Sequence, residues 1–473
     1  MSDVKLPETG RTDAAIFADL DAFEVGDPAY KEGRLWSLVY HLNDTHETFL
    51  GRAYQMFASA NGLNPGAFQS LKRMETEVIA MLADLLNGPA DTCGVMTAGG
   101  TESCLLAVKT YRDMARKKRR VKRPNMVLPA SAHVAWFKGA EYFGVEARVL
   151  PLDADLKPDL EKLKKRIDGN TILVVASAPN YPHGIIDPVA EMADLIARRR
   201  IPLHVDACIG GMILPFMAMN GAQLPEWDFR VPGVTSMSVD LHKYGYAAKG
   251  ASAILYRDFA TLKHQIFVSE NWPGGVFASS GLLGTRPGGA YAAAWAAMQR
   301  LGVSGYRRLA EETMEAADAL REGVEGIEEL KLLGAPAGPI LAIGAARKGF
   351  PVLAVADRME ARGWSIDRLQ RPAGLHLMVT AQHRRVVEAY LGDLRRAVAE
   401  VREHPELGEE GRAATYGMIA HVPLRGRVKE KVRDIFAEMY RAGGGRLDLD
   451  GGAPEGFAER MAARYAKWRA SKE

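Results

Sequence analysis

Cysteine is scarce in this chain: Cys93, Cys104 and Cys208 are the only three in 473 residues. They show neither metal-ligand spacing nor a disulfide framework, which points to a reducing compartment. Long apolar runs are missing too, and no stretch approaches the roughly 20 residues that a bilayer crossing needs. Met1 to Asp27 carries five Asp and two Glu and lacks the apolar core of a secretory signal. An excess of one charge is also lacking. The 61 Lys and Arg stand against 58 Asp and Glu, a net +3, and no nucleic-acid motif accompanies them. Repeats and low-complexity tracts are absent. The expectation is a soluble, cytoplasmic protein with no nucleic-acid partner and no transmembrane anchor.

What the chain has is core. Hydrophobic residues make up 47% and charged residues 25%, ordinary globular values over a length sufficient for more than one domain. Strand-like segments near 126–129, 147–151, 171–177, 202–206, 234–239 and 252–256 have helical segments between several of them. That alternation predicts an α/β fold with a mostly parallel sheet covered on both faces. Sites in such sheets gather at the carboxyl ends of the strands. The expected division is an N-terminal arm over 1–65, a large domain over 66–305 and a smaller α+β domain over 306–440. The last part, 441–473, reads as a flexible connection with a terminal helix from Gly456 to Lys472. The third region has strand-like segments at Pro339 to Ile343 and Leu375 to Thr380. The basic run Arg116 to Arg123 suits a helix C-terminus and a solvated face, with transient contact to an anionic membrane surface as the second reading.

Four features fall at strand ends or helix starts of the alternating stretch. Thr97-Ala-Gly-Gly-Thr-Glu-Ser103 opens a helix running to about Arg120, and its free N–H groups and dipole make an anion cup at Gly100 and Thr101. His133 follows the strand ending at Pro129, where its ring can stack on a planar group. Asp206 closes an apolar run, and a buried carboxylate there requires a cationic partner. Lys243, in Asp240-Leu-His-Lys-Tyr-Gly, follows a strand in a small, turn-prone segment. Taken singly, each has a plain structural reading: an N-cap, a hydrogen-bonded ring, a turn cap, a surface cation. Cys208, beside Asp206, reads as a small buried hydrophobe. In order, however, a phosphate cup, a stacking ring, a pyridine-nitrogen partner and a lysine are the parts that hold pyridoxal phosphate (PLP). The lysine amine must be able to be neutral, because only the free base attacks the cofactor aldehyde.

With these residues in view, the chain resembles the sphingosine-1-phosphate lyase family, in the PLP-dependent group II decarboxylase superfamily of fold type I. The resemblance spans roughly residues 38 to 420. It rests on Cys93 to Ser103, Ser177-Ala-Pro-Asn-Tyr-Pro-His-Gly184, Pro202 to Cys208, Asp228 to Ser236, His242-Lys-Tyr-Gly-Tyr-Ala-Ala-Lys-Gly250 and Gly284-Thr-Arg-Pro-Gly288. It implies that Lys243 carries the cofactor, Asp206 pairs with its ring nitrogen and His133 stacks on the ring. Gly100, Thr101 and His242 would hold the cofactor phosphate, and Tyr40 and Lys249 the substrate phosphate, with His183 also at the substrate. The implied assembly is a homodimer with shared active sites, Gly274 to Gly288 reaching the partner. The implied reaction is retro-aldol cleavage of a phosphorylated sphingoid base to a long-chain aldehyde and phosphoethanolamine. Lys243, His183, Tyr181 and a phosphate oxygen stay open as its base.

The sequence departs from the pattern at two places. Asn64 stands where the family has a histidine at the substrate phosphate, and Ala248 stands where it has proline. Two rivals remain. One is an amino-acid decarboxylase on the same fold, with Arg286 or Arg371 orienting a carboxylate. The other is a catalytically silent scaffold, against which the retained Lys243, Asp206 and His133 argue.

Overall fold

The computed structural model describes residues 5–414 and 425–440; the expected segment 441–473 lies outside them. Seven strands form the main sheet: β1 (Cys93–Thr97), β2 (Asn125–Pro129), β3 (Glu146–Leu150), β4 (Thr171–Ser177), β5 (Leu203–Asp206), β6 (Val234–Asp240) and β7 (Ser252–Tyr256). Their order is β1-β7-β6-β5-β4-β2-β3. Strands β2 to β6 pair in parallel, whereas β7 runs antiparallel to both of its neighbours, β6 and β1. Every residue of β4 is buried, which is why it reads as an unbroken apolar run.

The pleat sends alternate residues of one strand into two cores. Val174 and Ala176 of β4 join Val127, Val205 and Val239 in one cluster, together with Val78 of α3 (Gln69–Leu85) and Met192 of α7 (Val189–Ala197). Leu173 and Val175 join Met126 and Leu128 in the other, with Leu106 of α4 (Gly100–Arg119) and Trp136 of α5 (Val134–Phe143). The sheet is therefore covered on both faces, and the carboxyl ends of β4, β5 and β6 open at one edge. Helix α4 ends in Arg116, Lys117, Lys118 and Arg119, cations placed at the negative end of its dipole.

A second, antiparallel sheet has the order β10-β11-β13-β12, from β10 (Leu330–Leu332), β11 (Ile340–Ala345), β12 (Asp367–Gln370) and β13 (Ala373–Met378). Helices α11 (Val352–Glu360) and α12 (Val387–Glu403) close a separate core with it. The long α10 (Gly288–Glu325) breaks at Gly302, whose φ of 55° and ψ of −178° are not helical. Its residues up to Ala310 pack in the main core, and those from Ala316 pack in the second. Two short strands, β8 (Phe267–Ser269) and β9 (Phe277–Ser279), make a hairpin with its apolar side chains outward. Near the start of the chain, α1 (Asp13–Phe23) buries no residue, and α2 (Asp44–Met56) packs along α10.

Candidate active site

A cavity of about 250 Å³ opens at the carboxyl ends of β4, β5 and β6, lined by Gly100, Thr101, His133, Asp206, His242 and Lys243 among others. Residues separated by as many as 143 positions in sequence thus converge because β strands end together there.

Its floor on one side is the start of α4. Thr97 Oγ1 and Ser103 Oγ lie 2.7 Å apart, and Glu102 accepts from the Ala98 N–H at 2.7 Å, which fixes the turn into the helix. The N–H groups of Gly100 and Thr101 have no acceptor within the helix, and both residues line the cavity. A Cβ at Gly100 would lie 2.7 Å from Cys208 Sγ and 2.8 Å from both carboxylate oxygens of Asp240, so the cup depends on glycine.

His133 caps α5: its Nδ1 accepts from the Ala135 N–H at 3.2 Å, which leaves the ring face to the cavity. Burial lowers its pKa, outweighing the nearby Asp206 carboxylate, so the ring is neutral. Asp206 is buried at the end of β5. Its Oδ2 accepts from Trp136 Nε1 at 2.9 Å, and its Oδ1 from the Cys208 N–H at 3.2 Å and Ser238 Oγ at 3.3 Å. Burial alone would raise its pKa, but the hydrogen bonds donated by Cys208 and Trp136 reverse this and hold it below the usual carboxylate value. It remains an anion, able to hold a protonated ring nitrogen.

Lys243 Nζ sits 3.0 Å from Asp240 Oδ2, whose other oxygen accepts from Ser252 Oγ at 2.6 Å. Burial would lower the lysine pKa, yet the Asp240 charge outweighs it and the net shift is upward. The sequence reading asked for an amine made neutral by its pocket. The structure instead shows a cation paired to a carboxylate at the end of β6, which the sequence reading left unassigned. An Asp three residues before a strand-end lysine was the available signal.

Tyr181 lines the cavity and is tied to the second sheet. Its hydroxyl donates to Asp367 Oδ2 at 3.0 Å, and its ring stacks on His376 at 4.4 Å. Burial first, and then Asp367, raise its pKa, so the phenol keeps its proton.

The expected substrate residues fall outside this cavity. Lys249 Nζ donates to the Leu38 carbonyl at 2.6 Å and the His242 carbonyl at 3.4 Å, and lies 5.4 Å from the Tyr40 ring centroid. Tyr40 and Lys249 are therefore brought together, one residue's reach from His242. Although the Lys249 side chain is exposed overall, desolvation of its amine, then repulsion from Lys243, lower its pKa to about 8. His183 is buried, neutral through burial with a pKa near 4, and neither ring nitrogen has a partner among the described residues. Asn64 is exposed: its side chain accepts from the Gly66 and Ala67 N–H groups, closing a turn. Neighbouring Asn61 and Gly62 dock on Thr285 and Arg286. Within the chain, Asn64 thus sits with the segment that leads into α10.

An ionised buried carboxylate, a helix-start cup that only glycine permits, a neutral ring and a lysine are the donor set that PLP requires, and they face one cavity. The residues fit it. Gly100→Ala should therefore weaken cofactor binding by about 1–3 kcal/mol, the usual cost of overpacking. Cofactor release followed by absorbance during dialysis measures this; retention equal to the parent would remove Gly100 from the site.

Residues 43–339 match the pyridoxal-dependent decarboxylase conserved domain. The sphingosine-1-phosphate lyase of Arabidopsis thaliana is 43% identical over 404 residues, covering 84% of this chain and 74% of that protein. A probable L-tyrosine/L-aspartate decarboxylase of Methanothermobacter thermautotrophicus is 36% identical over 332 residues, covering 69% of this chain and 88% of that protein. Among solved structures, the sphingosine-1-phosphate lyase of Burkholderia pseudomallei superposes with a TM-score of 0.82 at 38% identity, covering 85% of this chain and 94% of that one.

Proposed function

The chain belongs to the sphingosine-1-phosphate lyases, within the pyridoxal-dependent decarboxylase family, and we propose that it cleaves the C2–C3 bond of a phosphorylated sphingoid base. The products are a long-chain aldehyde and phosphoethanolamine. The observation that carries this reading is the Lys249 amine, held over Tyr40 beside His242. A second cation in that place has a use if the substrate brings its own anion, as a phosphorylated aminoalcohol does.

When bound, PLP supplies the electron sink for the pair released from the C2–C3 bond. In our reading Lys243 would hold the cofactor and Asp206 would keep its ring nitrogen protonated. His133 would support its ring, and the cup of Gly100 and Thr101 with His242 would hold its phosphate. Tyr40 and Lys249 anchor the substrate phosphate. That anchoring turns the C2–C3 bond to the angle at which it breaks. The C3 hydroxyl gives up its proton as the aldehyde forms, and C2 gains one. Lys243 and Tyr181, both at the cavity wall, are the groups we assign to this exchange.

Lys249→Ala should lower kcat/KM for sphingosine-1-phosphate about 10- to 100-fold, the worth of a charged hydrogen bond of roughly 1.5–3 kcal/mol. Asn64→His should hold or raise it. The pH dependence has a definite sign. Lys249 is a cation below about 8 and neutral above it, so kcat/KM, which reports the free enzyme, should fall as pH rises through that value. The bound phosphate favours the charged form, so kcat should fall later. A profile in which Lys249→Ala keeps the same limb would assign it to another group.

The decarboxylase reading draws on the archaeal relative. It needs a free cation for a substrate carboxylate, whereas Arg286 is engaged with the Gly62 carbonyl and lies 3.5 Å from Glu75. The apolar hairpin, with Trp272 and Val276 exposed, and the unburied α1 support a homodimer in which Gly274 to Gly288 reaches the partner's site. Among the described residues no helix is long and apolar enough to cross a membrane, and we place the enzyme in the cytoplasm. We also propose the two cores as separate domains that meet along α10.

A further inference from the structure

The mechanism makes no use of two buried thiols beside Asp206. Cys104 lies in the second turn of α4 and Cys208 two residues beyond the end of β5; both face the cavity. The two sulfurs and an oxygen of Asp206 all lie within 4.8 Å of one another. Cys104 Sγ is 3.7 Å from Asp206 Oδ2, and Cys208 Sγ is 3.3 Å from Ser238 Oγ. A tetrahedral zinc site, with metal–sulfur bonds of about 2.3 Å and metal–oxygen bonds of about 2.0–2.2 Å, sets its ligand atoms roughly 3.5–3.8 Å apart. The triangle found here is close to that size before any ion enters.

We propose that Cys104, Cys208 and Asp206 form a site for one soft divalent cation of the zinc and cadmium class, in competition with the cofactor. Paired sulfur ligands select such ions over magnesium or calcium. The fourth position faces the cavity and takes water. Burial keeps the Cys104 thiol protonated at rest, and the hydrogen bond with Cys104, then burial, do the same for Cys208. On binding, each gives its proton to solvent, so one dication enters and two protons leave with no change of oxidation state. Asp206, already ionised, is the third ligand. Competition follows because the carboxylate that coordinates the ion is the one that would hold the cofactor's ring nitrogen. That clause rests on the cofactor reading; the metal site itself does not. The third cysteine, Cys93 on β1, has no place in the cluster and serves as the control.

The test is cadmium titration of the full-length protein stripped of cofactor, read by the ultraviolet cadmium–thiolate charge-transfer band and by bound metal per chain. One cadmium per chain with a two-thiolate band is expected. Cys104→Ala and Cys208→Ala should each weaken binding by more than about 100-fold, since loss of even an outer-shell partner costs 10- to 100-fold. Cys93→Ala should bind as the parent does. No thiolate band, or one that survives both Cys104→Ala and Cys208→Ala, overturns the site. Cadmium NMR of the unmutated protein decides the ligand set without any variant: a shift for fewer than two sulfurs overturns it as well. Cadmium should also slow PLP reloading of the parent but not of Cys104→Ala, and an unslowed parent overturns the competition.

Discussion

Lys243→Ala is expected to lose turnover to the limit of detection and to lose covalent attachment of the cofactor altogether. The amine lies on the cavity wall and is the group from which that bond can form. No neighbour can replace it, because Lys249 is directed to the Leu38 and His242 carbonyls. Borohydride reduction of the parent followed by peptide mapping should place the pyridoxyl group on Lys243. An adduct on Lys249 would exchange the two lysines' roles, and an adduct on neither would end the assignment. Removing Lys243 also strips Asp240 of its ion pair while leaving the Ser252 hydrogen bond. The variant should therefore melt earlier than the parent, and its inactivity is to be read at a temperature where circular dichroism shows it folded.

Asp206→Asn keeps the size of the side chain and removes its charge. The donors from Cys208 and Trp136 hold the present carboxylate ionised despite burial. An amide there can no longer keep a ring nitrogen protonated, so the electron sink weakens while the phosphate cup still binds. The expected loss in kcat is about 100-fold or more, equivalent to roughly 2.7 kcal/mol of barrier. Near-parental kcat in a fully loaded variant would make Asp206 a structural residue only. The variant also removes the anionic ligand of the proposed metal site, so cadmium binding should weaken along with activity.

The strands that end on the cavity were legible because both of their faces are buried. The run at 171–177 is apolar but for its two ends, and those at 202–206 and 234–239 combine Leu, Val and Met with small or strand-compatible polar residues; β4, β5 and β6 occupy them and are buried almost throughout. Strand β1 was not legible, since Cys-Gly-Val-Met-Thr carries a glycine at its second position. That glycine is required: a Cβ on Gly94 would lie 2.3 Å from the Ile254 carbonyl of β7. The direction of β7 was within reach, because the connection from Asp240 to Ser252 is too short for a parallel crossover. Strands β10 and β12 are short and mixed in character, Leu-Lys-Leu and Asp-Arg-Leu-Gln, and their pairing comes from the sheet they join.

The site was legible to the extent that its parts lie at strand ends and helix starts. Gly100, Thr101, His133, Asp206 and Lys243 could be named from local pattern and His242 from the family resemblance, and the structure gathers them around one cavity. Contacts made across the chain left no such trace. Trp136 reaches Asp206 from a helix 70 residues away, and Asp367 holds Tyr181 from the second sheet. Cys104 and Cys208 become neighbours only when α4 and β5 pack on the same edge, so spacing alone gave them no ligand character. Asn64 shows the opposite case. The residue was named from a motif, but its turn docks on the segment leading into α10 rather than on the cavity of its own chain.

Product analysis by mass spectrometry tests the central claim most directly. The cofactor-loaded protein is incubated with sphingosine-1-phosphate and, separately, with a panel of amino acids including tyrosine, aspartate and glutamate. The account predicts a long-chain aldehyde and phosphoethanolamine in equal amounts from the phosphorylated base and no carbon dioxide from any amino acid. Rapid carbon dioxide release from an amino acid, with no aldehyde from the phosphorylated base, would contradict it.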